Sequence, residues 1–275
     1  MPELPEVETI KNDLRPQVVG RRFERVRLIF PPAVRQPSPQ EFLHRLPGRR
    51  IKDLGRRGKY LLFRLSDGSS LILHFKMSGL LRLGSPGHDR VTAIFYLDDG
   101  QRLFFCDQRK FGSLWLVEDE DSVIGKLGPE PLDPSFTPGL LQSLLSRRKV
   151  PIKVLLCDQE VIAGIGNMYA DEALFAAGIH PLRRADTLLE EEIHRLHRTI
   201  REVLEGGIKN KGASTDTYRR PDGQTGAAHL GFKVAHRGGQ PCPRCGTPIQ
   251  RIPLRGRGAY FCPLCQPLEP QPRLL

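Results

Sequence analysis

Four cysteines, Cys242, Cys245, Cys262 and Cys265, stand as two C-x-x-C pairs, the spacing at which two short turns present four thiolates to one tetrahedral ion. Zinc suits such a set, and four thiolates leave no open coordination position, so the metal would be structural rather than redox-active or an iron-sulfur centre. The intervening PIQRIPLRGRGAY can run out and back as a hairpin that could hardly bury enough apolar surface without the clip. At the other end, MPELPEVE places Pro2 behind Met1, with Glu3 and Glu6 close by. Were Met1 trimmed, as a small second residue generally permits, Pro2 would carry a secondary amine. Such an amine can attack an electrophilic carbon and leave an iminium, a cation that needs no proton and draws electrons from the neighbouring carbon. Attack requires the free base, and a generic α-amine with a pKa near 8 is unprotonated to about a tenth at neutral pH. Lys59 in GRRGKYL would disfavour the protonated amine, whereas Glu3 and Glu6 would favour it. Glu3 is the better placed of the two acids for proton transfer. Read alone, the same residues also describe a helix entry, with Pro5 in the first turn and acids against the positive end of the helix dipole.

The 275 residues suffice for two domains. Lys and Arg total 42 against 31 Asp and Glu, a net charge of +11 that favours a polyanionic partner, nucleic acid first. No run approaches the roughly 18 apolar residues of a membrane span, and the acidic start lacks a signal-peptide layout, so a cytoplasmic protein with no membrane partner is expected. Paired cysteines in a reducing compartment suit metal rather than disulfides, and the two single ones, Cys106 and Cys157, are expected in the core.

The elements that must position these groups follow from the pattern of the chain. RVRLIF, KYLLFRL, SLILHF, VTAIFYL, QRLFF and SLWLV read as short strands between Gly, Asp and Pro turns, with a hairpin at Asp98 to Gly100, which suggests a sandwich or flattened barrel. A short helix precedes them, with Val7, Ile10 and Leu14 on one face. Residues 118–139 cluster acids and prolines as a linker would. Beyond it the pattern is helical, most clearly at Leu189, Ile193, Leu196, Ile200 and Val203, with Thr187 and Glu190 spaced as a capping box. The polar run 212–229 is either a floppy connector or a functional loop. The fold class is α+β: a catalytic β-rich domain over 1–117, a linker over 118–139, a helical domain over 140–231, the metal-binding finger over 232–266 and a tail over 267–275.

Taken together, MPELPEVET, GRRGKYL, HFKMSGLL, DQRKFG, LGPEPL, GIGNMYADEALFAAGIHP, PCPRCGTPI and RGAYFCPLCQ resemble the signatures of the formamidopyrimidine-DNA glycosylase family, spread over residues 1 to about 266. The resemblance implies a helix-two-turns-helix DNA-binding domain and a β-hairpin zinc finger holding one structural Zn2+. It implies Pro2 as the nucleophile forming a Schiff base with the anomeric carbon of the sugar, Glu3 as general acid or base, Glu6 as its support and Lys59 as proton donor in elimination. Arg257 is counted with this catalytic set and, with Lys153, as a holder of the phosphates flanking the lesion. His88 and Arg148 are weaker phosphate candidates. Gly166 and Asn167 would offer backbone and amide donors to phosphate at a helix start, in keeping with the physics of helix N-termini. Met77, Arg109 and Phe111 match the residues that fill the void left by an extruded nucleotide, with Arg109 also a DNA contact. Without the match Met77 and Phe111 would be read as core, although DQRKFG is a polar, Gly-terminated turn. Loop 212–229 corresponds to the segment that closes over the flipped base, and its composition fits ordering on binding. Ser78 occupies a position that varies in the family near the base pocket, which makes lesion choice less secure than the chemistry.

The expected activity is that of a monomeric, bifunctional DNA glycosylase and abasic-site lyase acting in base excision repair on damaged double-stranded DNA at the nucleoid. It would remove 8-oxoguanine and formamidopyrimidines and cut the strand by β- and δ-elimination. One rival is an endonuclease VIII-type enzyme for oxidised pyrimidines, against which the LPEVET start and the void-filling triple speak. The other is a non-catalytic zinc-finger DNA-binding protein, for which Pro2, Glu3 and Lys59 would be idle.

Overall fold

The structure, a computed structural model, describes residues 1–268, so the expected tail lies outside the described residues from position 269 onward. Its contacts divide the chain into two compact units: Met1–Lys126 with Gly207–His229, and Leu127–Gly206 with the chain from Leu230 on.

The first unit opens with α1 (Leu4–Val18), which carries Pro5 in its first turn and buries Val7, Ile10, Leu14 and Val18 along one face. Next come β1 (Phe23–Leu28), β2 (Val34–Gln36), α2 (Pro39–Arg45), β3 (Ile51–Arg57), β4 (Tyr60–Leu65), β5 (Ser70–His74), β6 (Gly79–Leu83), β7 (Val91–Leu97), β8 (Arg102–Asp107) and β9 (Ser113–Val117). They form two sheets, ordered β1-β7-β8-β6 and β2-β9-β5-β4-β3. One apolar core is shared by both sheets and the buried face of α1, with Phe23, Phe63, Phe75, Phe95 and Phe105 at its centre. Truncating any of these rings to Ala would cost about 3–5 kcal/mol, cavity included. The six expected strands are present. GLLRL, IKDLGRR and VRQ form β6, β3 and β2 as well; β3, with Gly55 and three Arg or Lys, lacks the apolar alternation by which sequence finds a strand.

After α3 (Asp121–Ile124), the second unit contains α4 (Pro138–Leu145), α5 (Ile152–Leu156), α6 (Asn167–Ala177), α7 (Glu190–Lys209) and the hairpin of β10 (Gln250–Leu254) and β11 (Arg257–Phe261). The division into units falls within α7, at Gly206 and Gly207. The hairpin turns through Arg255 and Gly256, both at positive φ, as a two-residue turn matched to strand twist requires.

The boundary at Lys126/Leu127 lies inside the expected linker 118–139, whose two ends are packed: Glu120 accepts from Arg64 and Ser70 in the first unit, and buried Phe136 stacks on His197 in the second. Three expectations change. Segment 207–229, expected within the helical domain, packs in the first unit because Tyr218 is buried in the sandwich core. The Thr187–Glu190 capping box does not form; Thr187 donates to the Arg184 carbonyl, and the Leu189 N–H is taken by Glu192, which Arg183 also binds. Cys106 is buried as expected, and burial raises its thiol to about 12, but Cys157 is only half-buried and faces a cleft.

Candidate functional site

A capping box does lie at the N-terminus, between the two acids singled out for chemistry. Glu3 is the N-cap of α1 and Glu6 its third residue, each side chain meeting the other's backbone N–H, with Glu6 Oε2 2.8 Å from the Glu3 nitrogen. Pro2, Glu3 and Glu6 are all buried. The second Glu6 oxygen accepts from the Ala213 N–H at 2.8 Å, so one carboxylate holds both the start of the chain and segment 207–229. Arg220 adds a 2.8 Å pair with Asp13 on α1, and the Leu83 N–H donates to the Pro221 carbonyl. Gly212 is required here: its φ is +79°, and a Cβ would lie 2.8 Å from the Tyr218 ring and 3.0 Å from Glu6. The segment read as floppy or ordering on binding is thus packed onto α1.

Glu6→Ala should leave the Glu3 and Ala213 N–H groups without this acceptor, at about 1–3 kcal/mol for each buried group. The melting temperature should fall by at least about 5 °C, with hydrogen exchange rising across 211–228. A shift under about 1 °C would show that the carboxylate anchors neither segment.

A second group of expected residues gathers at one end of the sandwich. Tyr60 pairs with His74, His74 with Ser113, and Gly79 with Asp107, so the β3–β4, β5–β6 and β8–β9 connections end on neighbouring rungs. Lys59, buried, sits in the first of these connections. Glu8 on α1 joins Arg56 at 2.8 Å and so ties the helix to this turn. Burial pushes the Glu8 carboxyl up, but its bonds to Lys11 and Arg56 outweigh this and hold it below its ordinary value. Met77 occupies the second connection, and Arg109 and Phe111 the third. Met77 is 43 % and Phe111 49 % exposed, which rules out the core reading for both, and the Arg109 guanidinium lies 4.9 Å from the Phe111 ring centre. Ser78, by contrast, is buried beneath them.

His74, not singled out in the sequence, belongs to this group. It ends β5, packs edge-on to Tyr60 at 4.5 Å, and its Nδ1 accepts from the Lys76 N–H at 3.0 Å. Burial, with Lys76 and Lys59 nearby, lowers its pKa to about 3, so the ring is neutral and carries its proton on Nε2. The only sequence signal was a lone His closing an apolar run, which is more often structural.

In the second unit, Lys153, Asn167 and Arg257 line one cleft of about 300 Å3 together with Cys157, Asp158 and Arg255. Gly166 is the N-cap of α6 and Asn167 its first residue, with the Asn167 Oδ1 buried and without a hydrogen-bond partner. Lys153, expected as a phosphate holder, lines this cleft but is itself buried. Its Nζ is buried against Asp171 at 2.7 Å and donates to the Gly258 carbonyl at 2.8 Å, strapping α5 to both α6 and β11. Burial raises the Asp171 carboxyl to about 7 even with Lys153 beside it. Arg148 is exposed after α4 and His88 after β6; neither lines this cleft.

The sulfur atoms of Cys242, Cys245, Cys262 and Cys265 all lie within 4.8 Å of one another. Pairs at 3.5 and 3.8 Å are far longer than a disulfide and close to the edge of about 3.8 Å that a Zn–S length of about 2.3 Å gives a tetrahedron. The Arg244 and Cys265 N–H groups point at Cys242 and Cys262 sulfurs, which steadies thiolate charge. The donor set fits one structural zinc. Around it, Cys242, Ile249, Cys262 and Val234 pack on Phe175 of α6, and Arg244 donates to the Phe175 carbonyl.

A nine-stranded sandwich lobe with a buried acidic N-terminus, and a helical unit bearing a four-cysteine hairpin finger, define a two-unit zinc protein of α+β class. The chain matches the formamidopyrimidine-DNA glycosylase N-terminal domain over residues 1–114, the H2TH domain of the same family over 127–219, and the zinc finger found in FPG and IleRS over 239–268. It is 45% identical over 275 residues to the formamidopyrimidine-DNA glycosylase of Symbiobacterium thermophilum, covering 98% of this chain and 90% of that one. Its fold is similar to that of MutM (Fpg) from Thermus thermophilus, with a TM-score of 0.90 and 41% identity, covering 98% of this chain and 100% of the other. A Lactococcus lactis FPG mutant in complex with a Fapy-dG containing DNA aligns with a TM-score of 0.90 and 36% identity, covering 97% of this chain and all of that one. The chain belongs to the formamidopyrimidine-DNA glycosylase family.

Proposed function

We propose that the protein is a DNA glycosylase of base excision repair that removes formamidopyrimidines and 8-oxoguanine and then cleaves the strand as an abasic-site lyase. The observation that carries this reading is the gathering of Lys59, neutral His74 and exposed Met77, Arg109 and Phe111 at one end of the sandwich, in the unit that also holds the buried Pro2–Glu3–Glu6 start.

With Met1 removed, the Pro2 nitrogen attacks C1′ of an extruded nucleotide. The C1′–N bond breaks, and the base leaves with the electron pair and takes up a proton. The Pro2 nitrogen passes its own proton to Glu3, which delivers it to O4′ as the sugar ring opens, and the nitrogen lone pair so freed forms the iminium. Loss of a C2′ proton sends its electron pair toward that cation, and the C3′–O bond breaks to release phosphate; Lys59 is the proton donor in this elimination. A second elimination releases the C5′ phosphate, and water then hydrolyses the iminium to free Pro2. Glu6 keeps Glu3 in place by holding its N–H. Asn167 and Arg257, with the N-terminus of α6, form a site for a backbone phosphate, where aligned N–H groups and fixed positive charge favour an anion. Segment 212–229 covers the extruded base, and Cys242, Cys245, Cys262 and Cys265 hold a zinc that fixes the hairpin carrying Arg255 and Arg257. Net charge +11 supports salt-sensitive binding to duplex DNA. Among the described residues no helix is long and apolar enough to cross a membrane; we place the enzyme in the cytoplasm, acting as a monomer.

The zinc-loaded, Met1-trimmed protein should excise 8-oxoguanine opposite cytosine with a kcat/KM at least about 10-fold above that for thymine glycol, about 1.4 kcal/mol in discrimination. A reversed preference would assign it to oxidised pyrimidines. No release of either base would leave a DNA-binding protein without this chemistry.

A further inference from the structure

Met77, Arg109 and Phe111 stand on two connections that each cross from one sheet of the sandwich to the other, β5 to β6 and β8 to β9. Free tips of this kind would sample many conformations, and the cost of ordering them would be met at each encounter with DNA. A buried carboxylate removes that freedom. Asp107, 1 % exposed, accepts from the Ser78 hydroxyl and from the Arg109 N–H at 3.1 Å through Oδ1, and from the Gly112 N–H at 2.6 Å through Oδ2. Ser78 Oγ in turn lies 3.1 Å from the same Arg109 N–H. The two connections are therefore locked to each other one residue from Met77, and the β8–β9 connection is closed on both sides of the Arg109–Phe111 tip. Gly112 is fitted to this lock, since a Cβ would stand 2.5 Å from the Phe105 ring and 3.0 Å from Asp107 Oδ2.

We infer that Asp107, acting through Ser78, is the positioning residue of the duplex wedge: it holds Met77, Arg109 and Phe111 as one preorganised tip, and Ser78 serves this lock rather than the choice of lesion. The inference rests on the wedge reading of those three side chains. Its physical content is that an apolar wedge offsets unstacking only if its own ordering is already complete before insertion. The Ser78 hydroxyl donates to Asp107 and accepts from Arg109, so it has little left to offer a base.

The test uses the full, zinc-loaded, Met1-trimmed protein with Asp107→Asn, Ser78→Ala and, as references for the wedge, Met77→Ala and Phe111→Ala. In Asp107→Asn one oxygen becomes an NH2 facing a backbone N–H or the hydroxyl, whichever way the amide is turned. Extrusion is followed by the stopped-flow fluorescence of 2-aminopurine beside 8-oxoguanine in a duplex. Schiff-base chemistry is followed separately by borohydride trapping on a single strand with a preformed abasic site, which needs no wedge. Asp107→Asn should slow the fluorescence change and duplex excision at least about 10-fold, and Ser78→Ala about 3-fold or more without altering lesion preference, while Asp107→Asn trapping on the single strand stays within about twofold. Wild-type extrusion in Asp107→Asn beside slowed Met77→Ala and Phe111→Ala overturns the lock and leaves the wedge. Wild-type extrusion in all four overturns both. An equal fall in extrusion and single-strand trapping makes Asp107 a general structural residue and also overturns the proposal. If Asp107→Asn does not fold, Ser78→Ala decides alone, and its unchanged extrusion overturns the lock.

Discussion

Protein whose Pro2 nitrogen is acylated, or kept in a peptide bond by retained Met1, should give no borohydride-trapped adduct with abasic DNA and should lose at least about 10^3-fold in excision and strand cleavage. An amide nitrogen has its lone pair delocalised into the carbonyl and is neither basic nor nucleophilic, so the covalent step loses its attacking atom rather than merely its tuning. Removing the nucleophile of a covalent catalyst costs losses of this size or more, because only binding and electrostatics remain. Binding itself should change little, since the groups proposed to hold phosphate lie elsewhere. The measurement is a gel-shifted adduct after borohydride, set beside filter binding of the same DNA. Blocked protein that binds, excises and is trapped at the unblocked level would remove Pro2 from the mechanism.

Stripping the metal should abolish tight binding to lesion DNA. The finger's small core of Cys242, Ile249 and Cys262 on Phe175 is too little to hold a hairpin unaided, and without the cation no bonds tie the four sulfur atoms together. The hairpin carries Arg255 and Arg257, two of the cations lining the second unit's cleft. Two charge-assisted phosphate contacts are worth about 1.5–3 kcal/mol each, so affinity should fall about 10^2- to 10^4-fold. Cys262→Ser should behave likewise, because Cys262 is buried and its loss leaves three ligands. The sandwich core contains no part of the finger, so the near-ultraviolet signal of Trp115 should persist. Metal analysis together with a binding titration checks this. Metal-free protein that binds within threefold of the native would mean that the hairpin stands without its clip.

The four cysteines, the Pro2–Glu3 start, the apolar strands and the face of α1 were legible in the sequence, because each depends on residue type and local spacing. Met77 and Phe111 were not decidable that way: an apolar side chain in a short turn looks the same whether the turn folds inward or ends the sandwich in solvent. Sequence also could not show that Glu6 bonds Ala213, 207 positions away, that Lys153 bonds Asp171 and Gly258, or that Asp107 and Ser78 meet. It held no hint that 207–229 packs on α1, since a Tyr in a polar run carries no periodicity. Local chemistry and periodic burial are written along the chain, so residue type and spacing determined the four-cysteine metal set, the proline-led acidic start and the apolar faces of strands and helix. Which polar groups satisfy one another is set by pairings between residues far apart in the chain, and only the packed sheets and helices decided it.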